Sequence, residues 1–269
     1  MPSVVEVGSM YHLGLDAYYT DGEVDPAGLV KSLVMEKISE YPEHEERIRK
    51  DGELASIMLE GYVDHCEETG WDAEFKILGA EQSVEVPLGE TGFRLRGKID
   101  TRVERIADGA WLQFEHKTVG NLSDIPKYAQ SAPQFLSYDL IAYLMALREA
   151  EGRRTDGVLI NMARRVKRTA TAKPPFYGRH TVIHNVEELR SHFMHVITIA
   201  RQIQEARLKL DSGWSVHDVC VPVINRDHVW KCRCAPIGNL LDDGSDVEGY
   251  LEDFYESYDP WERYNEEVA

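Results

Sequence analysis

Two extended segments, residues 92 to 106 (GFRLRGKIDTRVERI) and 110 to 118 (AWLQFEHKT), flank the turn Ala107-Asp108-Gly109, and this pairing constrains the fold more than any other stretch of the chain. A Gly-containing turn between two runs of alternating residues closes an antiparallel hairpin. With Asp108-Gly109 as a two-residue loop, Ala107 pairs with Ala110, Asp100 faces Lys117, and Arg102 faces Glu115. Side chains alternate faces along a strand. Asp100, Glu115 and Lys117 therefore share one side, and Phe93, Leu95, Ile99, Val103, Leu112 and Phe114 make an apolar side opposite. Glu115 then lies diagonal to Asp100, about 7 Å away, within reach of one shared cation. A solvated strand face carries the same pattern, because Arg94, Arg96, Lys98, Arg102 and Glu104 fall on the carboxylate side. Asp100 opposite Lys117 is, by itself, an ordinary cross-strand ion pair.

The chain around the hairpin alternates helix and strand. Helices are expected over residues 3 to 20, 25 to 41 and 43 to 69, with Asp25-Pro26 as a cap-plus-proline start and Gly70 as a stop. Residues 74 to 88 read as extended, with Glu81 in the middle. Residues 131 to 151 form the clearest helix, with Ser131 as N-cap, and 155 to 164 read as a buried strand. A basic loop is expected over 165 to 180 and a helix over 186 to 210. Helices, a hairpin, then helix and strand predict an α/β fold with a mixed central sheet flanked by helices.

At 269 residues the chain suffices for one elaborated domain. We divide it into an N-terminal helical part (1–72), a catalytic core (73–211), a cysteine-bearing segment (212–241) and an acidic, aromatic tail (242–269). No run of about 18 apolar residues is present, so no membrane span is expected. Four cysteines without regular disulfide spacing, and no signal-peptide pattern at the N-terminus, predict a cytoplasmic protein. The net charge of −17 is unevenly spread: residues 242 to 269 alone carry −10. Between Arg153 and Arg179 stand eight cations (Arg153, Arg154, Arg164, Arg165, Lys167, Arg168, Lys173 and Arg179) against the single acid Asp156. Phosphate contacts are expected there, a solvated basic loop being the alternative.

Five short motifs occur in order: Gly8-x-x-x-His12, Glu81, Gly97-Lys98-Ile99-Asp100, Glu115-His116-Lys117 and Gln134-x-x-x-Tyr138. Together they resemble the PD-(D/E)XK nuclease superfamily, specifically its RecB-like branch of phage recombination exonucleases and CRISPR-associated adaptation nucleases. Ile-Asp stands here where the superfamily name has Pro-Asp. The resemblance implies a Mg²⁺- or Mn²⁺-dependent deoxyribonuclease acting on linear DNA ends in recombination or end-processing, with a single-strand annealing or recombination protein as a partner. It implies Asp100, Glu115, the His116 carbonyl and His12 as metal ligands, and Glu81 as a further site residue. Lys117 would hold the attacking water or stabilise charge on the phosphate. Gln134 and Tyr138, on one helix face near its positive end, would orient a phosphate or water. Arg164, Arg165, Lys167, Arg168, Lys173 and Arg179 would follow the DNA backbone.

Many RecB-like relatives also hold an iron–sulfur cluster. Cys220, Cys232 and Cys234 stand near the C-terminus, but no cysteine precedes His12 and the last cysteine of the pattern is missing. Cys66 would complete such a set only if its helix folded back over the tail, so a degenerate cluster region is favoured. A non-catalytic DNA-end-binding subunit and a structure-specific endonuclease on the same scaffold are the competing functions.

Overall fold

The computed structural model describes residues 7–22, 24–148, 153–219 and 247–254. Cys220, Cys232, Cys234 and most of the acidic tail lie outside the described residues. The described chain separates into two compact units, one of residues 2–88 and 94–193, the other of Gly89–Phe93 and residues from Met194 onward.

Three helices open the first unit: α1 (Val7–Thr20), α2 (Pro26–Glu40) and α3 (Glu45–Thr69). Each follows its local chemistry. α1 buries Met10, Tyr11, Gly14, Leu15 and Tyr19, a helical stripe. At the start of α2, the Asp25 carboxylate accepts the Ala27 amide and Pro26 occupies the first turn. α3 ends at Gly70, which takes a φ of +66° and closes the helix by donating its N–H to the Cys66 carbonyl. A Cβ on Gly14 would fall 2.4 Å from a Leu59 methyl, so glycine is what lets α1 and α3 meet so closely.

The sheet has five strands in sequence order: β1 (Phe75–Pro87), β2 (Arg94–Arg105), β3 (Trp111–Val119), β4 (Gly157–Arg164) and β5 (Tyr177–Val182). Among the described strands only the β3–β4 pair is parallel, and the crossover between them carries α4 (Pro133–Arg148). The mixed, curled sheet flanked by helices is the α/β architecture that the alternation of elements predicts.

Three expectations need correction. The hairpin turn is four residues, Ile106 to Gly109, because the Arg105 amide bonds the Ala110 carbonyl and Gly109 takes a φ of +68°. Asp108 accepts both the Ala110 amide and the Arg105 guanidinium, which fixes this longer turn. Arg102 consequently faces Gln113, not Glu115, and the continued register sets Asp100 opposite Glu115, not Lys117. Second, the expected basic loop contains β5, paired antiparallel with β4 from Val158↔Val182 to Ala163↔Tyr177. Third, Ser131 belongs to a short 3₁₀ turn, and α4 begins at Pro133.

The apolar side of the hairpin is also divided. Val103, Leu112 and Phe114 pack with α1–α3, whereas Ile99 packs with Val84, Val86 and Ile141 of α4. A second α4-side cluster gathers Phe135, Val158, Ile160 and Met162. The last helix of the first unit's chain, α5 (Val186–Asp211), continues into the second unit, where the Arg207 guanidinium lies 5.4 Å over the Phe93 ring. Among the described residues no helix is long and apolar enough to cross a membrane.

Candidate active site

The turn correction moves the register by two residues, an even number, so the parity of β2 against β3 is kept. The ladder between β2 and β3 ends at Thr101↔Phe114. One step further, the His116 amide donates to Asp100 Oδ2 at 2.8 Å, so a side chain takes the bond where the ladder stops. His12, on α1, brings Nδ1 to 3.4 Å from the same oxygen. On the neighbouring carboxylate, Glu115 Oε1 accepts Lys117 Nζ at 2.6 Å and Gln134 Nε2 at 2.8 Å. Gln134 Nε2 also reaches the Tyr138 hydroxyl at 3.1 Å. Gly97 explains how α4 comes near enough, since a Cβ there would sit 3.1 Å from Ile141 and 3.3 Å from the Tyr138 ring.

Burial sets the electrostatics. The Glu115 side chain is 4% exposed, and desolvation together with the Asp100 charge pushes its pKa up to about 7 despite Lys117. Burial also works against ionised Asp100, but the His12 hydrogen bond and charge and the His116 amide outweigh it, so its pKa is lowered. His12, in return, is raised: burial lowers it, and Asp100 overcomes that.

His116 holds its strand from the opposite side. Its ring is stacked on Tyr19 (5.4 Å, 6° between planes), with Nδ1 3.2 Å from the Asn161 amide and Nε2 3.5 Å from Thr101 Oγ1. Full burial drives its pKa down to about 3, so the ring is neutral. Asn161 also donates to the Tyr62 hydroxyl at 2.9 Å. Sequence reasoning passed over Asn161, Tyr19 and Tyr62. One signal was available for Asn161, the only strongly polar side chain in the buried run Gly157–Ala163.

Glu81 lies in β1 between Ala80 and Gln82, whose partners Thr101 and Ile99 flank Asp100. By register it stands beside Asp100; its side chain lies outside the described set. Cys66 is a buried free cysteine whose thiol is pushed up to about 12 by desolvation, the reverse of a ligating thiolate.

The basic segment is mostly committed within the fold. Arg164 donates to the carbonyls of Lys173 and Pro175, Lys167 pairs with Glu53 at 2.6 Å, and Arg168 bonds the Tyr177 hydroxyl at 2.7 Å. Arg179 lies in β5, its side chain 8% exposed, paired with Asp72 and set 4.3 Å over Trp71. Arg165 and Lys173 are exposed, and neither side chain has a hydrogen bond or ion pair among the described residues.

The donor chemistry suits a hard divalent cation. Asp100 Oδ1 and Glu115 Oε2 have no hydrogen-bond partner among the described residues. Also among the described residues, no group of three or more His, Cys, Asp or Glu side chains forms a ready ligand cage. Carboxylate oxygens are the hard ligands that Mg²⁺ uses, the rest of its shell being water because it dehydrates reluctantly.

The model of the PD-(D/E)XK nuclease superfamily matches residues 2–221, and the chain belongs to that superfamily. Its members are nucleases that generally use divalent metals such as Mg²⁺. No curated protein matches the sequence.

Proposed function

We propose that the protein is a divalent-metal-dependent deoxyribonuclease that degrades linear DNA from its ends, in recombination or end-processing. The observation that carries this reading is the adjoining pair Asp100 and Glu115, each with one free oxygen, beside the Lys117 amine. A cation such as Mg²⁺ or Mn²⁺ held by that pair and the His116 carbonyl would gather phosphate oxygens and lower the pKa of the attacking water.

The chain's own groups do the rest. Lys117, fixed by Glu115, orients the water and stabilises the charge that develops on phosphate. Gln134, itself bonded to the Tyr138 hydroxyl, restrains Glu115 Oε1 and leaves Oε2 for the metal. His12 holds Asp100 ionised and in place. Arg165 and Lys173 supply phosphate contacts from the basic segment.

The test is incubation of the purified chain with circular and linear DNA, labelled at either end, with and without Mg²⁺. Metal-dependent loss of linear DNA alone supports end-directed hydrolysis. Cleavage of the circle makes it an endonuclease, and binding without cleavage makes it a DNA-end-binding subunit.

A further inference from the structure

A cleft of about 450 Å³ is lined by Lys117, Gln134, Tyr128, Phe135, Asp124 and Arg165 among others. Lys117 and Gln134 both bond Glu115 Oε1, at 2.6 and 2.8 Å, so the cleft begins where the hydrolytic groups end. Its volume falls within the range of small-ligand sites, about 300–1,000 Å³.

The lining has two features that no other described residue engages. Arg165 is exposed and has no hydrogen bond or ion pair through its side chain among the described residues, in contrast to Arg164, Lys167 and Arg168 beside it. Its backbone is nonetheless fixed, because its amide donates to the Val119 carbonyl at 2.8 Å. Asp124, the one acid in the lining, is offset by Lys127 at 3.2 Å, so the free charge facing the cleft is positive. Tyr128 is 50% exposed although its backbone is held by Ile125 and Ser131 at 3.1 and 3.0 Å. An aromatic ring on a fixed backbone stays exposed without an energetic return from packing, and here it faces a space next to a free guanidinium.

Phosphate on a guanidinium and a base on an aromatic face are the two contacts that single-strand binding surfaces combine. A base inside a duplex is stacked on both faces and must leave the stack to meet such a ring. We propose that this cleft takes one unpaired nucleotide of the substrate strand, its base on Tyr128 and its phosphate on Arg165, and that the protein therefore prefers single-stranded or frayed DNA to base-paired DNA. The proposal rests on the nuclease reading above and specifies its substrate.

Anisotropy of a labelled single-stranded oligonucleotide, measured in EDTA with the full chain, tests it apart from catalysis. The single strand binds more tightly than its blunt duplex. Tyr128→Ala weakens single-strand binding about tenfold, within the range of one lost base stack, and Tyr128→Phe stays within about twofold of the parent. An oligonucleotide of abasic residues responds to Arg165→Ala and is indifferent to Tyr128→Ala. Equal affinities of the parent and Tyr128→Ala, an equal Tyr128→Ala loss on abasic DNA, or a preference for the duplex would each overturn the proposal. A parent protein that leaves all DNA intact in Mg²⁺ would defeat the nuclease reading instead, and the anisotropy comparison would still stand.

Discussion

Replacing Arg179 with Met separates a cation that holds the fold from one that holds DNA. The Arg179 side chain is 8% exposed, pairs with Asp72, approaches Glu74 at 3.3 Å and donates to the Trp71 carbonyl at 2.7 Å. The guanidinium lies 4.3, 4.9 and 5.2 Å from the centroids of Trp71, Phe114 and Phe75. Removing one partner of a buried pair costs about 3–5 kcal/mol, because the other charge is left without compensation. Asp72 is 18% exposed, so water reaches it and the lower end of that range applies. Lost cation–π attraction adds about 1 kcal/mol, while Met keeps most of the packed volume. The expected destabilisation is about 3–4 kcal/mol, read from equilibrium urea unfolding followed by tryptophan fluorescence. Asp72→Asn in the Arg179→Met background should cost much less than in the parent, the signature of direct coupling. An unchanged unfolding midpoint with weaker DNA binding and a flatter salt dependence would refute this reasoning and make Arg179 a phosphate anchor.

Glu115→Gln should abolish cleavage of linear DNA in Mg²⁺ yet raise the metal-free unfolding midpoint at pH 8, since burial penalises that carboxylate; a lowered midpoint would contradict its strained ionisation. Lys117→Ala should lower kcat by about 10²–10³-fold, the scale of one lost charge-stabilising donor, with DNA affinity within about twofold. Parallel losses would make Lys117 a phosphate anchor. The Glu115 pKa near 7, against an ordinary value of 4.5, fixes a pH trend. Its contribution to metal-free stability is intact below about pH 4.5 and is lost as pH rises towards 7, because the unfolded chain ionises first. Thermal melts without metal should show that decline, and stabilisation by added Mg²⁺ should grow over the same interval. Arg165→Ala should reduce the salt slope of binding by about 0.7–0.9, whereas Lys167→Ala, whose amine faces Glu53, should change it little; equal effects would return the segment to a diffuse basic loop.

The candidate site was legible in the sequence to the extent that it depends on local alternation. A two-residue loop and a four-residue loop differ by an even number, so the longer turn leaves the parity between β2 and β3 as the sequence predicts it. A three-residue loop would have turned one strand over and separated the carboxylates. What parity does not encode is which residues stand opposite; the Arg105–Asp108 contact favours the longer turn and sets that register. β5 was hidden for a similar reason. Residues 165 to 180 are rich in Arg, Lys and Pro, and neither charge nor proline signals that Tyr177–Val182 pairs with β4.

The basic run shows why composition alone misplaces function. A count of cations treats Arg164, Arg165, Lys167, Arg168 and Arg179 alike, whereas each has a different fate once the chain is folded. Arg179 enters an aromatic box because β5 lies beside β4 and the Trp71–Phe75 turn closes over its outer side. Arg168 is drawn to Tyr177, and Lys167 to Glu53 on α3. Arg165 is left over for a geometric reason. It follows the last residue of β4, its amide is tied to the end of β3, and among the described residues no acid pairs with it. A guanidinium held by its backbone at the strand end that also carries Lys117 is placed for a phosphate one step from the hydrolytic groups. Its neighbours, bound into α3 and β5, are not. If Arg165→Ala and Arg168→Ala weaken DNA binding equally at low salt, the partners seen in the fold are not what decides which cations remain available, and this account of the basic segment fails.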